Sequence, residues 1–99
     1  MEKIIIARIH LDNIKKLIDT LLAQLRYAIR CQVSATYLDD KVELRANENP
    51  LIEIDIHKNE TYGGYILDIY LMRNLPKKTR TLITNTIHII THRILHNQC

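Results

Sequence analysis

The sequence predicts an α+β fold: a two-layer sandwich of a four- to five-stranded antiparallel sheet with two helices on one face, in the order β-α-β-β-β-β-α. Three observations lead there. Apolar residues recur at three and four near both ends of the chain. Between them the period changes to two. Short polar turns separate the alternating runs, which favours an antiparallel meander with one face buried. With 99 residues, the expectation is a single domain over 1–99.

The opening KIIIARI, residues 3–9, reads as a short strand, although a continuous apolar run also fits the start of a buried helix. Leu11, Ile14, Leu17, Ile18, Leu21, Leu22, Leu25, Ala28 and Ile29 then mark an amphipathic helix. Asp12 is the expected N-cap, because its carboxylate can accept free N–H groups of the first turn. Lys15 and Asp19 are spaced to pair.

Cys31, Val33, Ala35 and Tyr37 alternate with polar residues. Asp39-Asp40 signals a turn. Val42, Leu44 and Ala46 form the next apolar row, and Ile52, Ile54 and Ile56 the third. Residues 59–64 hold both glycines and read as a hairpin loop. Tyr65, Leu67, Ile69 and Leu71 form the last row. Asn74 followed by Pro76 predicts an Asx-capped start for the final helix. Ile83, Ile87, Ile90 and Ile94 fall within about 60° of one another and make its core stripe.

Composition narrows the function classes. The chain is 46% hydrophobic and 25% charged, which is globular rather than disordered. No run approaches the ~20 apolar residues of a membrane span, and none makes a signal-peptide h-region. Cys31 and Cys99 offer no disulfide framework, so a cytoplasmic setting is expected. The net charge of +3 is unevenly spread. Residues 39–68 hold eight acids and three Lys/Arg, whereas residues 69–99 hold five Lys/Arg and no acid. Such asymmetry suits a polyanion partner.

The start of the final helix is the most unusual feature. Lys77, Lys78 and Arg80 crowd a first turn where the helix dipole disfavours cations. Together with free backbone N–H groups they would suit a phosphate. Arg73 adds a cation before the helix. Lys15, Lys16, Arg26 and Arg30 extend the basic path if the two helices lie side by side. A nucleic-acid contact through these eight residues is therefore expected, set against ordinary solvated side chains.

The outer sheet face should carry Ile66, Tyr70 and Met72, joined by Leu51 on the neighbouring strand. This apolar patch, with Leu82 and Ile89 off the core stripe of the final helix, reads as a partner interface. Tyr27 and Tyr62 would widen it. Glu53, Asp55 and His57 share that outer face, near Asp39-Asp40. Paired carboxylates can hold a divalent ion for phosphodiester cleavage, but strand alternation alone explains their spacing. His88, His92 and His96 fall on one helical strip without a further ligand, which favours a solvent-facing strip over a metal site. Cys31 reads as a packed thiol. No cofactor, metal or catalytic residue is expected.

The segments IIIARIHLDNIKKLIDTLL at 4–22 and YILDIYLMRNLPKKTRTLITNTIHII at 65–90 resemble the small dimerisation subunit of the archaeal and eukaryotic KEOPS complex, or a paralogue of it. That family's last helix carries an arginine followed four residues later by an asparagine. Here Arg80 and Asn85 are five apart, and residues 26–49 would be an additional hairpin. The resemblance implies a non-catalytic subunit that dimerises through its sheet. It would offer helices to an ATPase-like partner and help hold tRNA for threonylcarbamoyl-adenosine formation. Two other classes stand beside it: a small stand-alone or viral-type nucleic-acid-binding regulator, and a metal-dependent nuclease. The partners expected are a second copy or a paralogue, a larger protein complex and tRNA or other RNA, with no membrane.

Overall fold

A computed structural model describes residues 3–97, with side chains to Ile94. The elements run β1 (Lys3–Leu11), α1 (Ile14–Ile29), β2 (Val33–Tyr37), β3 (Lys41–Ala46), β4 (Asn49–Lys58), β5 (Tyr65–Met72) and α2 (Lys77–Asn97). All five strands form one antiparallel sheet in the order β1-β5-β4-β3-β2. The first strand is thus not at the start of the meander. It adds beside the last strand, Ile9 opposite Leu67 and Lys3 opposite Met72.

Both helices cover the same sheet face. Leu17, Ile18, Leu21 and Leu25 of α1 and Ile83, Ile87 and Ile90 of α2 pack onto the inward rows of the strands. Those rows are Ile9 and Leu11, Val33, Val42 and Leu44, Ile52 and Ile54, and Leu67, Ile69 and Leu71. The core is aliphatic and continuous. Ile94 is only partly buried, because the core thins toward the end of α2.

Two caps differ from expectation. Asn13, not Asp12, caps α1, and its Oδ1 accepts from the Lys16 amide at 3.1 Å. Asp12 lies one residue too early to face that amide. At α2 the Pro76 carbonyl accepts from the Arg80 amide at 2.9 Å, which leaves Asn74 in the preceding turn. Arg30 ends α1 in the left-handed region at φ 56, a conformation usually left to glycine. Cys31 is exposed and precedes β2, so it is not the packed thiol its spacing suggested. The left-handed residue before it shifts the strand start to Val33. Cys99 and the His96 side chain lie outside the described residues. Among the described residues, no helix is long and apolar enough to cross a membrane.

Candidate nucleic-acid interface

The strand registers sort the turns into two ends. Lys3, Met72, Asn49, Ala46 and Val33 lie at one end of their strands, and Leu11, Tyr65, Lys58, Lys41 and Tyr37 at the other. β1 runs toward the second end, α1 returns, and α2 runs out again beside β1. The helices are therefore antiparallel. The start of α2 shares a groove with Ile4 and Ile6 of β1, whereas Ile90, Arg93 and Ile94 meet Leu11, Asn13 and Lys16.

This arrangement divides the eight predicted cations. Arg73, Lys77, Lys78 and Arg80 gather at the first end, where α1 also finishes with Arg26 and Arg30. Three turns close that end, residues 30–32, 47–48 and 73–76, and Glu48 is the one acid among them. Lys15 and Lys16 do not belong to this group. Antiparallel packing carries them to the opposite end, whose turns hold Asp12, Asp39, Asp40 and Glu60. Lys15 there pairs with Asp19 at 3.8 Å.

The first-end cations are not equivalent. Arg73, Lys77, Lys78 and Arg30 are exposed. Arg26 is partly committed, since its Nε donates to the Val33 carbonyl at 2.9 Å and ties α1 to β2. Arg80 is half-buried, and its buried Nε has no hydrogen-bond partner. It lines a groove of about 370 Å³ between α2 and β1. Ile4, Ile6 and Leu71 form the apolar floor, and Lys77, Thr81, Thr84 and Asn85 the polar wall.

The outer sheet face differs from the apolar patch that alternation suggested. Leu51 and Met72 are each only 3% exposed. Ile66 and Tyr70 are half-buried. Charged side chains from β1 lie across the face. Lys3 reaches Glu53 and sits 4.5 Å from the centre of the Tyr70 ring. Arg8 grips Asp68 with Nε at 2.5 Å and Nη2 at 3.2 Å. His57 Nε2 lies 3.2 Å from Asp68 Oδ2, the oxygen that Arg8 Nη2 also reaches, and Lys41 lies 3.6 Å from Glu53. Local spacing does not show the partner of β1, and so assigns no role to Lys3 or Arg8. Ile5 of β1, opposite Tyr70, is the exposed apolar residue on this face among the described residues, and the others lie elsewhere: Leu82 and Ile89 on α2, Tyr27 on α1, Tyr37 and Leu38 at the end of β2, and Tyr62 in the hairpin loop.

These contacts set the carboxylates. The Arg8 hydrogen bond holds Asp68 below the usual carboxylate range against its burial. At Glu53 burial pushes upward, but the Lys3 hydrogen bond and the Lys3 and Lys41 charges prevail and lower it. Asp55 is raised by burial, and the neighbouring Glu53 adds to that effect. Glu53 and Asp68 thus serve as counter-ions within the sheet. Among the described residues, no three His, Cys, Asp or Glu side chains are grouped to hold a metal ion. His88 and His92 are exposed, and His88 Nε2 stands 3.2 Å from the Ile6 carbonyl on the edge of β1. Comparisons with protein-family models, curated proteins and solved structures gave no match to this chain.

Proposed function

We propose that this protein is a non-catalytic subunit that acts as a dimer and contacts RNA through the basic end of its sandwich. One observation carries the reading: Arg73, Lys77, Lys78 and Arg80 lie at the same end of the sandwich as Arg26 and Arg30, and the turns of that end hold a single acid. A phosphate backbone approaching that end meets cations from two helices and the free amides of the α2 start. Such contacts position a nucleic acid without reading its sequence. The half-buried Arg80 and the groove beside it give the cluster a shaped edge rather than a flat one.

The non-catalytic part of the reading is supported by the use of the outer-face acids. Glu53 holds Lys3 and Lys41, and Asp68 is gripped by Arg8 with His57 beside it, which leaves both poorly placed to ligate a divalent ion. The narrower role in tRNA threonylcarbamoyl-adenosine formation within a larger complex rests on the sequence resemblance, and the cytoplasmic setting on the two cysteines that offer no disulfide framework.

The test is tRNA binding as a function of salt. Neutralised phosphates give a slope of about −0.7 per contact for single strands and −0.9 for duplex. Changing Lys77, Lys78 and Arg80 together to Gln is expected to flatten the slope by roughly two to three. Unchanged affinity and slope in that variant would overturn the RNA reading.

A further inference from the structure

A buried donor without an acceptor is costly, and a charged one more so. The Nε of Arg80 is such a donor among the described residues. Arg80 lines the groove of about 370 Å³ between α2 and β1, and none of the described residues lining that groove is an acid. The chain therefore offers this guanidinium no carboxylate there. Lys77, one turn earlier on α2, lines the same groove and is exposed. The acceptor that suits both is an anion, and charge-assisted bonds to a guanidinium are among the stronger ones.

The floor of the groove has a different chemistry. Ile4 of β1 stands directly opposite Leu71 of β5. The bulge between Ile5 and Ala7 makes Ile6 an extra residue in the strand, and both Ile6 and Ala7 pack against the core. The result is an aliphatic surface at the sheet edge that α2 covers only in part, since Ile4 and Ile6 are half-buried. Beyond the cations the wall continues with Thr84 and Asn85. The Thr81 hydroxyl is already donated to the Lys77 carbonyl at 3.0 Å, whereas the exposed Asn85 amide can both donate and accept. One turn beyond Thr84, His88 Nε2 lies 3.2 Å from the Ile6 carbonyl and ties the helix to the strand.

We propose that this groove holds one unpaired nucleotide, with its phosphate on Arg80 and Lys77, its base on the floor of Ile4, Ile6 and Leu71, and the base edge toward Asn85. This rests on the RNA reading of the basic end and names the part of the RNA that end takes. A phosphate alone would leave the aliphatic floor wet, and a purely apolar ligand would leave Arg80 Nε unpaired. A nucleotide answers to both. Lys78, exposed next to Lys77, and Arg30 at the end of α1 continue the positive surface. Successive phosphates of a strand use such a surface, and a ligand with a single anionic head does not. A base stacked in a duplex cannot reach the floor without leaving its stack, so the groove takes nucleotides from single strands, loops or ends.

Methyl NMR of the full chain tests the proposal, with four probes titrated separately: a single-stranded oligouridylate, its duplex with oligoadenylate, UMP and inorganic phosphate. The Ile4, Ile6 and Leu71 methyls are expected to shift with the single strand and with UMP, and not with the duplex or with phosphate at equal concentration. Arg80→Lys keeps the charge and removes Nε, so it is expected to weaken single-strand binding roughly tenfold with an unchanged salt slope. Duplex that moves the three methyls as far as the single strand, or phosphate that moves them as far as UMP, would overturn the nucleotide site. So would single-strand binding that leaves these methyls unmoved or is indifferent to Arg80→Lys; the RNA reading would then stand on its own salt slope. UMP in the groove without binding of either RNA would keep the nucleotide site and overturn the RNA reading. No binding of any of the four probes would overturn both.

Discussion

Asp55 of β4 and Asp68 of β5 stand directly opposite each other across the sheet ladder. Like charges in that position repel. The outer face resolves this by partitioning counter-ions: Arg8 grips Asp68, with His57 beside it, while Lys3 lies 4.0 Å from Asp55. Asp68 is thereby held below the usual carboxylate range, and Asp55, pushed up by burial, lies above it.

The two shifts act on stability in opposite directions as pH falls. Asp55 is raised in the folded protein, so protonation there favours the fold, and stability rises as pH drops through its folded value. Asp68 and Glu53 are lowered, so their contribution is complete above the unfolded value of about 4 and is lost as pH falls through their folded values. Urea titrations across pH are expected to show a shallow maximum just above pH 4. Asp55→Asn should abolish the rise, and Asp68→Asn should reduce the acid-side fall. A profile that is the same in both variants would contradict the assignment.

Basic residues at the two ends of the sandwich should behave differently toward RNA. Lys15→Gln with Lys16→Gln is expected to leave the salt slope of tRNA binding nearly unchanged, although it removes as many charges as Lys77→Gln with Lys78→Gln. The latter pair should flatten the slope by roughly one to two. Equal effects would show that binding follows total charge rather than the basic end.

Met72 and Leu82 were read alike from sequence, as surface apolar residues. The structure buries Met72 and leaves Leu82 38% exposed. Met72→Ala is expected to destabilise by about 2–5 kcal/mol, which in a domain of this size moves the thermal midpoint by several degrees per kcal/mol. Leu82→Ala should stay within about 0.5 kcal/mol of wild type. Thermal melts of the two variants under one condition make the comparison.

Gly63 and Gly64 share a left-handed backbone, at φ +76 and φ +71, but not their surroundings. A Cβ on Gly63 would meet nothing within 4 Å, whereas one on Gly64 would lie 2.6 Å from Asp12 Oδ1 and 3.2 Å from the Leu11 carbonyl. Gly63→Ala should carry only the left-handed penalty of about 1–2 kcal/mol. Gly64→Ala should be clearly worse, because the Leu11 backbone cannot swing aside as a side chain can. Chemical denaturation would show equal losses if the Asp12 turn simply yields.

Much of this architecture is legible in the sequence because periodicity reports burial. The stripe Ile83, Ile87, Ile90 and the rows Val42–Leu44 and Ile52–Ile54 are buried as spacing alone suggests. Long-range pairing is not legible in the same way. Nothing local to KIIIARI says that it lies beside β5, so Lys3 and Arg8 could not be placed over Glu53, Tyr70 and Asp68. The same gap makes Met72, opposite Lys3, read as exposed, whereas Leu51 is the extra residue of a bulge in β4 and joins the core. Helix direction was the other missing quantity. Lys15 and Lys16 start α1 and Arg26 and Arg30 end it, so no orientation unites all eight cations, and antiparallel packing puts Arg26 and Arg30 rather than Lys15 and Lys16 at the end where α2 starts.

The position of β1 also orders events in time. Its bond from Arg8 to Asp68 spans sixty residues, whereas β2 through β5 are joined by short turns. Closing so long a loop is entropically slow relative to zipping neighbouring hairpins. As the chain emerges during synthesis, KIIIARI has no strand to join until residues 65–72 have appeared. The four-stranded meander can assemble first, and the nucleus of folding is expected there. β1 is then expected to dock last, bringing Arg8 to Asp68 and Lys3 to Glu53, which until that step has only Lys41 of the two lysines beside it. Truncation of Asp68 should therefore accelerate unfolding more than it slows folding.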